Sequence, residues 1–136
     1  MNRIGFQQIA EVRLRESKAL LDAGFPDGAY YLAGYAIECA LKACIAKRTR
    51  EHDFPEKESK DFYIHDLDKL LGFAKLKSEF EMALRTNPAM NANWIIAKNW
   101  AETSRYQRKT VADATGLLRA IEDQTRGLLP WVQKRW

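Results

Sequence analysis

The sequence predicts an all-α protein, an antiparallel up-and-down bundle of four to six helices. Three observations carry that prediction. Nearly every periodic segment repeats its apolar residues at helical spacing, no segment alternates as a strand would, and residues 29–48 (AYYLAGYAIECALKACIAKR) are apolar on most sides of a helix. A helix of this last kind must be surrounded, so 29–48 is expected at the centre of the bundle. Its small residues Ala33, Gly34, Ala36 and Ala40 would let neighbours approach closely, and a partner subunit is the alternative occupant of the extra apolar face.

Taken in order, the first helix is expected from Ile4 to Ala23, with Ile9, Val12, Ala19 and Leu20 on its apolar face and Gly24 as its stop. The turn FPDG follows, in which Pro26 sets φ and Asp27 is expected to cap the central helix. That helix keeps Ala33, Ala36, Ile37, Ala40, Leu41, Cys44 and Ile45 in helical register and ends on Lys47 and Arg48, where cations suit the dipole. Residues 49–63 (TREHDFPEKESKDFY) are polar, charged and broken by Pro55, and read as the one clear loop. IHDLDKLLGFA opens a short helix near Asp66. KLKSEFEMAL gives another, through Leu76, Phe80, Ala83 and Leu84, stopped at Asn87-Pro88. A Trp-bearing segment, ANWIIAKNWAE, comes next. The last long helix is expected from about Lys109 to the C-terminus through Val111, Ala114, Leu118, Ile121, Thr125, Leu128 and Val132, bent or interrupted at Pro130.

The 136 residues are expected to form one domain, 1–136, large enough for a core without staples. Hydrophobic content of 46% with 29% charged residues is ordinary globular composition, which excludes disorder as the default. The net charge of +4 permits contact with a polyanion without demanding it; a solvated surface is the plainer reading. Cys39 and Cys44 lie about 140° apart around one helix and cannot be bridged, so buried reduced thiols are expected. The N-terminal stretch has charges and no apolar h-region, and no long apolar run occurs elsewhere. A soluble, cytoplasmic protein without a membrane segment is the expectation.

No phosphate-binding Gly-rich loop, nucleophile elbow or HExxH occurs, and no cofactor or metal is expected. The carboxylate pairs Glu79/Glu81 and Glu56/Glu58 have the spacing of different helix faces. Of the two histidines, His52 beside Asp53 has poor specificity as a metal ligand, and His65 before Asp66 reads as a helix-start residue. Glu38 and Lys42 form an i, i+4 pair in the favourable order. They sit either on a narrow polar stripe or at the edge of the core, where Glu38 would need a buried partner or would line an interhelical groove. The stretch WAETSRYQRK, Trp100 to Lys109, sets Arg105, Arg108 and Lys109 around Tyr106. Guanidinium groups among aromatic faces grip phosphates and stack bases; the alternative is a helix junction with Trp100 and Tyr106 packed inward.

These blocks together resemble the HEPN domain family. The resemblance rests on SKALLDAGFPDGAYYLAGYAIECALKACIAKR (17–48), continues at IHDLDKLLGFA (64–74) and is completed by the aromatic-basic WAETSRYQ and the long last helix. It implies a helical bundle that usually dimerises and that often acts as an RNase, as a toxin paired with a small nucleotidyltransferase, or as a module of defence and stress systems. RNase members carry Arg, four to six residues, then His. From Arg105 the corresponding positions are Thr110, Val111 and Ala112, from Arg108 they are Asp113, Ala114 and Thr115, and no arginine meets the spacing to either histidine. No catalytic residue is therefore carried over. The expected role is a non-catalytic module that binds nucleotide, RNA or a partner nucleotidyltransferase, with Arg105, Tyr106, Arg108 and Lys109 as the contact surface and Glu38, Lys42 and His65 lining the groove beside it. The alternatives are an RNase with a degenerate site and a self-associating adaptor whose contact is Trp131, Val132 and Trp136.

Overall fold

The computed structural model describes residues 1–49 and 64–136. Seven α-helices and one short 3₁₀ helix lie among these residues, with no strand. Helix α1 (Arg3–Asp22) is capped by Asn2, whose side chain accepts from the Gly5 N–H, and stops at Gly24, which holds φ at +89°. Helix α2 (Pro26–Thr49) begins with Pro26, where a missing N–H costs nothing. Arg3 reaches the last residues of the chain, near the end of α2, while Ser17 donates to the Ala29 carbonyl near its start. The two helices therefore form an antiparallel hairpin.

As expected, α2 is the central helix. It packs against α1, α3 (Leu67–Phe73), the 3₁₀ helix (Glu102–Tyr106), α6 (Val111–Glu122) and α7 (Leu128–Gln133). Ile37, Leu41 and Ile45 meet Leu70, Leu71, Leu117, Ile121 and Leu128 in one core cluster. The close approach foreseen for small residues is clearest at Gly34: a Cβ there would lie 2.2 Å from the indole Nε1 of Trp100. Both cysteines are free and buried. Helices α4 (Lys77–Thr86) and α5 (Pro88–Ala97) meet at Asn87, whose side chain caps α5 ahead of Pro88.

The structure corrects several expectations. The last helix is two: α6 ends at Glu122 and α7 begins at Leu128. The break comes before Pro130, because the Asp123 carboxylate takes the Thr125 and Arg126 N–H groups and the Gly127 N–H turns back onto the Asp123 carbonyl. A Cβ on Gly127 would lie 2.3 Å from that carbonyl oxygen, so the turn needs glycine there. Pro130 sits in the first turn of α7, where its lack of a donor is harmless. Val132 is 2% exposed in the chain's own core, and Trp131 packs edge-on against Phe80; of the expected self-association contact, only the half-buried Trp131 and Trp136 retain exposed surface. The expected loop overlaps the end of α2 at Thr49, and the rest of it, including His52, lies outside the described residues.

Candidate nucleic-acid interface

The polar side chains that the sequence singles out converge on the middle of α2. Glu38 is wholly buried and Lys42 is 5% exposed, and the lysine Nζ donates to Glu38 Oε1 at 2.8 Å. The same oxygen lies 2.9 Å from His65 Nδ1, just ahead of α3. His65 Nε2 in turn lies 3.2 Å from Glu102 Oε2, and Glu102 Oε1 lies 3.3 Å from Arg105 Nη1. One chain of polar contacts thus runs Lys42, Glu38, His65, Glu102, Arg105, from the core to the surface. His65 is accordingly a bridge between two carboxylates, while the helix-start role falls to Asp66, whose side chain accepts from the Lys69 N–H. Glu38 Oε2 is buried without a hydrogen-bond partner among the described residues.

Aromatic packing fixes the far end of this chain. Trp100 is 3% exposed, lies on the bare backbone of Gly34 and stacks on Tyr31 at 6.0 Å, and Tyr31 stacks on Tyr35 at 5.9 Å. Burial pushes the Tyr35 hydroxyl up to about 12, with Cys39 and Glu38 adding to it. Burial, then Glu38, pushes the Cys39 thiol up to about 12 against the pull of Lys42. Both groups therefore stay neutral beside the ion pair. Just beyond Trp100, the 3₁₀ helix buries Ser104 and turns Arg105 and Tyr106 outward: Tyr106 is 77% exposed, and the Arg105 guanidinium sits 4.9 Å from the centre of its ring. Trp100 packs inward, as the junction reading requires, but Tyr106 does not.

Arg108 and Lys109 belong to a second anchor. The Asp27 carboxylate accepts from the Lys109 backbone N–H and pairs with Arg108 Nε at 2.9 Å, so it holds the segment after the 3₁₀ helix and does not cap α2 as expected. The Lys109 ammonium lies 4.4 Å over the Tyr30 ring. Thr110 and Asp113 then form a reciprocal cap that starts α6, and the Thr110 hydrogen bonds hold the Asp113 carboxyl below its usual range. Residues 100–110 are thus tied at both ends, with Arg105, Tyr106 and Arg108 facing solvent between the ties.

Of the residues named from sequence, the structure joins Glu38, Lys42, His65 and Arg105 in one chain and seats Tyr106 against Arg105; Arg108 and Lys109 stand apart on Asp27. Sequence reasoning missed Glu102, the link between His65 and Arg105. Its i, i+3 spacing to Arg105 was readable, whereas its contact with a histidine 37 positions earlier has no local signature. Among the described residues, no group of three or more His, Cys, Asp or Glu could hold a metal ion, and no helix is long and apolar enough to cross a membrane.

A central helix wrapped by shorter ones, with a buried carboxylate tied to a histidine and onward to an exposed arginine, defines a small α-helical bundle of the kind that the sequence resembles. The family model of the HEPN domain matches residues 6–124, and the chain belongs to that family. No curated protein and no solved structure is matched by the chain.

Proposed function

We propose that this chain is a non-catalytic HEPN module that binds single-stranded RNA, or a nucleotide by the same contacts, through Arg105, Tyr106, Arg108 and Lys109. The observation that supports it best is the paired presentation of Arg105 and the 77%-exposed Tyr106 on a short helix anchored at Trp100 on one side and at Asp27 on the other. A held aromatic face beside a guanidinium stacks a base and pairs its phosphate without first ordering a loop. Glu38, Lys42 and His65 position that surface from behind. The non-catalytic part rests on the sequence: no arginine stands four to six residues ahead of either histidine, and the His65 imidazole is held between the Glu38 and Glu102 carboxylates. The family resemblance extends the proposal to a homodimer and to pairing with a nucleotidyltransferase in a toxin–antitoxin, defence or stress system.

The test is fluorescence anisotropy with a labelled single-stranded RNA over a series of salt concentrations. Tyr106→Ala is expected to weaken binding about tenfold. Arg105→Ala is expected to weaken it and to lower the salt slope by about 0.7. The RNA should remain full-length on a gel after long incubation. Unchanged affinity in Arg105→Ala/Tyr106→Ala would refute the surface, and cleavage lost on His65→Ala would refute the non-catalytic reading. Sedimentation of the pure protein reads the homodimer, and co-purification from the native host reads the nucleotidyltransferase.

A further inference from the structure

Arg108 and Lys109 sit by the first turn of α2, at Asp27. The opposite end of the same helix, about 30 Å away at 1.5 Å per residue, carries a feature that the RNA surface does not use. A cleft of about 530 Å³ opens there between the ends of α2 and α7, and its charged lining residues are Lys47, Arg48, Lys134 and Arg135. Cys44, Ala74 and Leu76 complete the lining. The dipole of each helix accounts for cations at its own C-terminus. It does not account for two such ends sharing one concave wall.

Compensation within the cleft is sparse. Glu79 pairs with Arg135 at 2.7 Å, and Arg48 and Lys134 have no carboxylate partner among the described residues. Among the described residues, four cations against one carboxylate leave three net positive formal charges at this pole. Two of the cations are held. Arg135 donates to Glu79 through Nε and Nη2 and to the Trp131 carbonyl through Nη1, and its guanidinium lies 3.6 Å from the centre of the Trp131 ring. Lys47 Nζ donates to the Arg135 carbonyl at 3.3 Å. The Cys44 thiol is pushed up to about 11 by burial, against the pull of Lys47 and Arg135, so it stays neutral and offsets none of the charge.

We infer that this cleft binds a compact oligophosphate, a ligand with two or three linked phosphoryl groups. Three net charges exceed what one phosphate neutralises, and the volume lies within the range of small-ligand sites. The partly apolar wall strengthens each charge contact by excluding water. A nucleic-acid strand is the poorer occupant, because no aromatic side chain lines the cleft among the described residues, and the nearby Trp131 ring already has the Arg135 guanidinium on its face. The clustered cations also repel one another in the empty protein, a cost that an anionic ligand relieves.

The experiment is thermal unfolding of the full chain in low salt with pyrophosphate or tripolyphosphate, against sulfate at matched ionic strength, with calorimetry for affinity. A saturable rise in Tm with the oligophosphates, exceeding that with sulfate, is expected. Arg48→Gln with Lys134→Gln should weaken binding by about tenfold for each cation removed. That double variant should be at least as stable as the wild type without ligand, so lost binding is not lost folding. Arg105→Ala with Tyr106→Ala should leave pyrophosphate binding unchanged, which separates this site from the proposed RNA surface. Equal shifts with sulfate, no saturation, or binding that survives Arg48→Gln/Lys134→Gln would overturn the inference. So would binding that is lost in the Arg105/Tyr106 variant.

Discussion

Gly34→Ala tests how the central helix seats the proposed RNA surface. By helix propensity alone the change should help, since alanine gains about 1 kcal/mol over glycine inside a helix. Packing opposes it. The new Cβ would lie 2.2 Å from Trp100 Nε1 and 2.3 Å from both Cδ1 and Cδ2, inside a rigid indole and not against a flexible chain end. Trp100 is 3% exposed and stacked on Tyr31, so it cannot yield without uncovering its ring or separating α2 from the segment that leads to the 3₁₀ helix. Overpacking of this kind costs about 3 kcal/mol at the upper end of its usual range, which leaves a net loss of about 2 kcal/mol after the propensity gain. With a urea dependence of about 2 kcal/mol per molar, the unfolding midpoint should fall by about 1 M. Tryptophan fluorescence should shift red as the indole meets water. Adding Trp100→Leu to Gly34→Ala should recover part of the loss, because the smaller side chain makes room for the methyl group, and the double-mutant cycle reads that coupling directly. A Gly34→Ala protein as stable as the wild type, with unshifted fluorescence, would refute the packing argument.

Three further predictions concern the buried ionisable groups. Lys42→Met should destabilise by about 3–5 kcal/mol, because it leaves Glu38 wholly buried with His65 as its one remaining partner among the described residues; Glu38→Gln with Lys42→Met should cost clearly less, and equal losses in urea titrations would contradict this. Tyr35 and Cys39 both have folded values of about 12, above their ordinary 10.0 and 9.0. Their contribution is therefore complete below about pH 9 and is lost as pH rises towards 12, because the unfolded chain releases these protons first. Denaturant midpoints should be flat to about pH 9 and fall beyond it. At pH 8 a thiol reagent should modify Cys39 only at the rate of unfolding, and rapid labelling of Cys39 in the folded protein would contradict its burial.

The fold was legible where local rules and tertiary packing agree. Helix α2 announces its central place because Ala33, Ala36, Ile37, Ala40, Leu41 and Cys44 leave no wide polar face, and all of them are buried. The starts at Asp66 and Asn87 follow cap chemistry, which acts over three residues and can be read from sequence. The C-terminal break was misplaced because Pro130 drew attention, although DQTRG already contained the turn-forming aspartate and the glycine that the turn requires. The candidate site was legible as an inventory and not as a circuit. Arg105 and Tyr106 stand out by type, and Glu38 by its isolation in an apolar run, but the links through Glu102 and the Asp27 anchor join residues far apart in sequence, where no periodicity operates.

Glu38 shows why the interior and the proposed surface answer to the same residues. A carboxylate at the centre of a core costs more than a single lysine at i+4 returns, and here one oxygen carries both Lys42 and His65 while the other has no hydrogen-bond partner among the described residues. An apolar side chain at position 38 would pack there without that cost. The carboxylate does what an apolar group cannot: it fixes the imidazole of His65, which fixes Glu102, which holds Arg105 against Tyr106. His65 and Arg105, 40 positions apart in the sequence, are linked here through Glu102, with a carboxylate on each side of the imidazole. Spacing alone is therefore an incomplete guide to what His65 does. Its contacts with Glu38 and Glu102 place the imidazole in the chain that leads to Arg105.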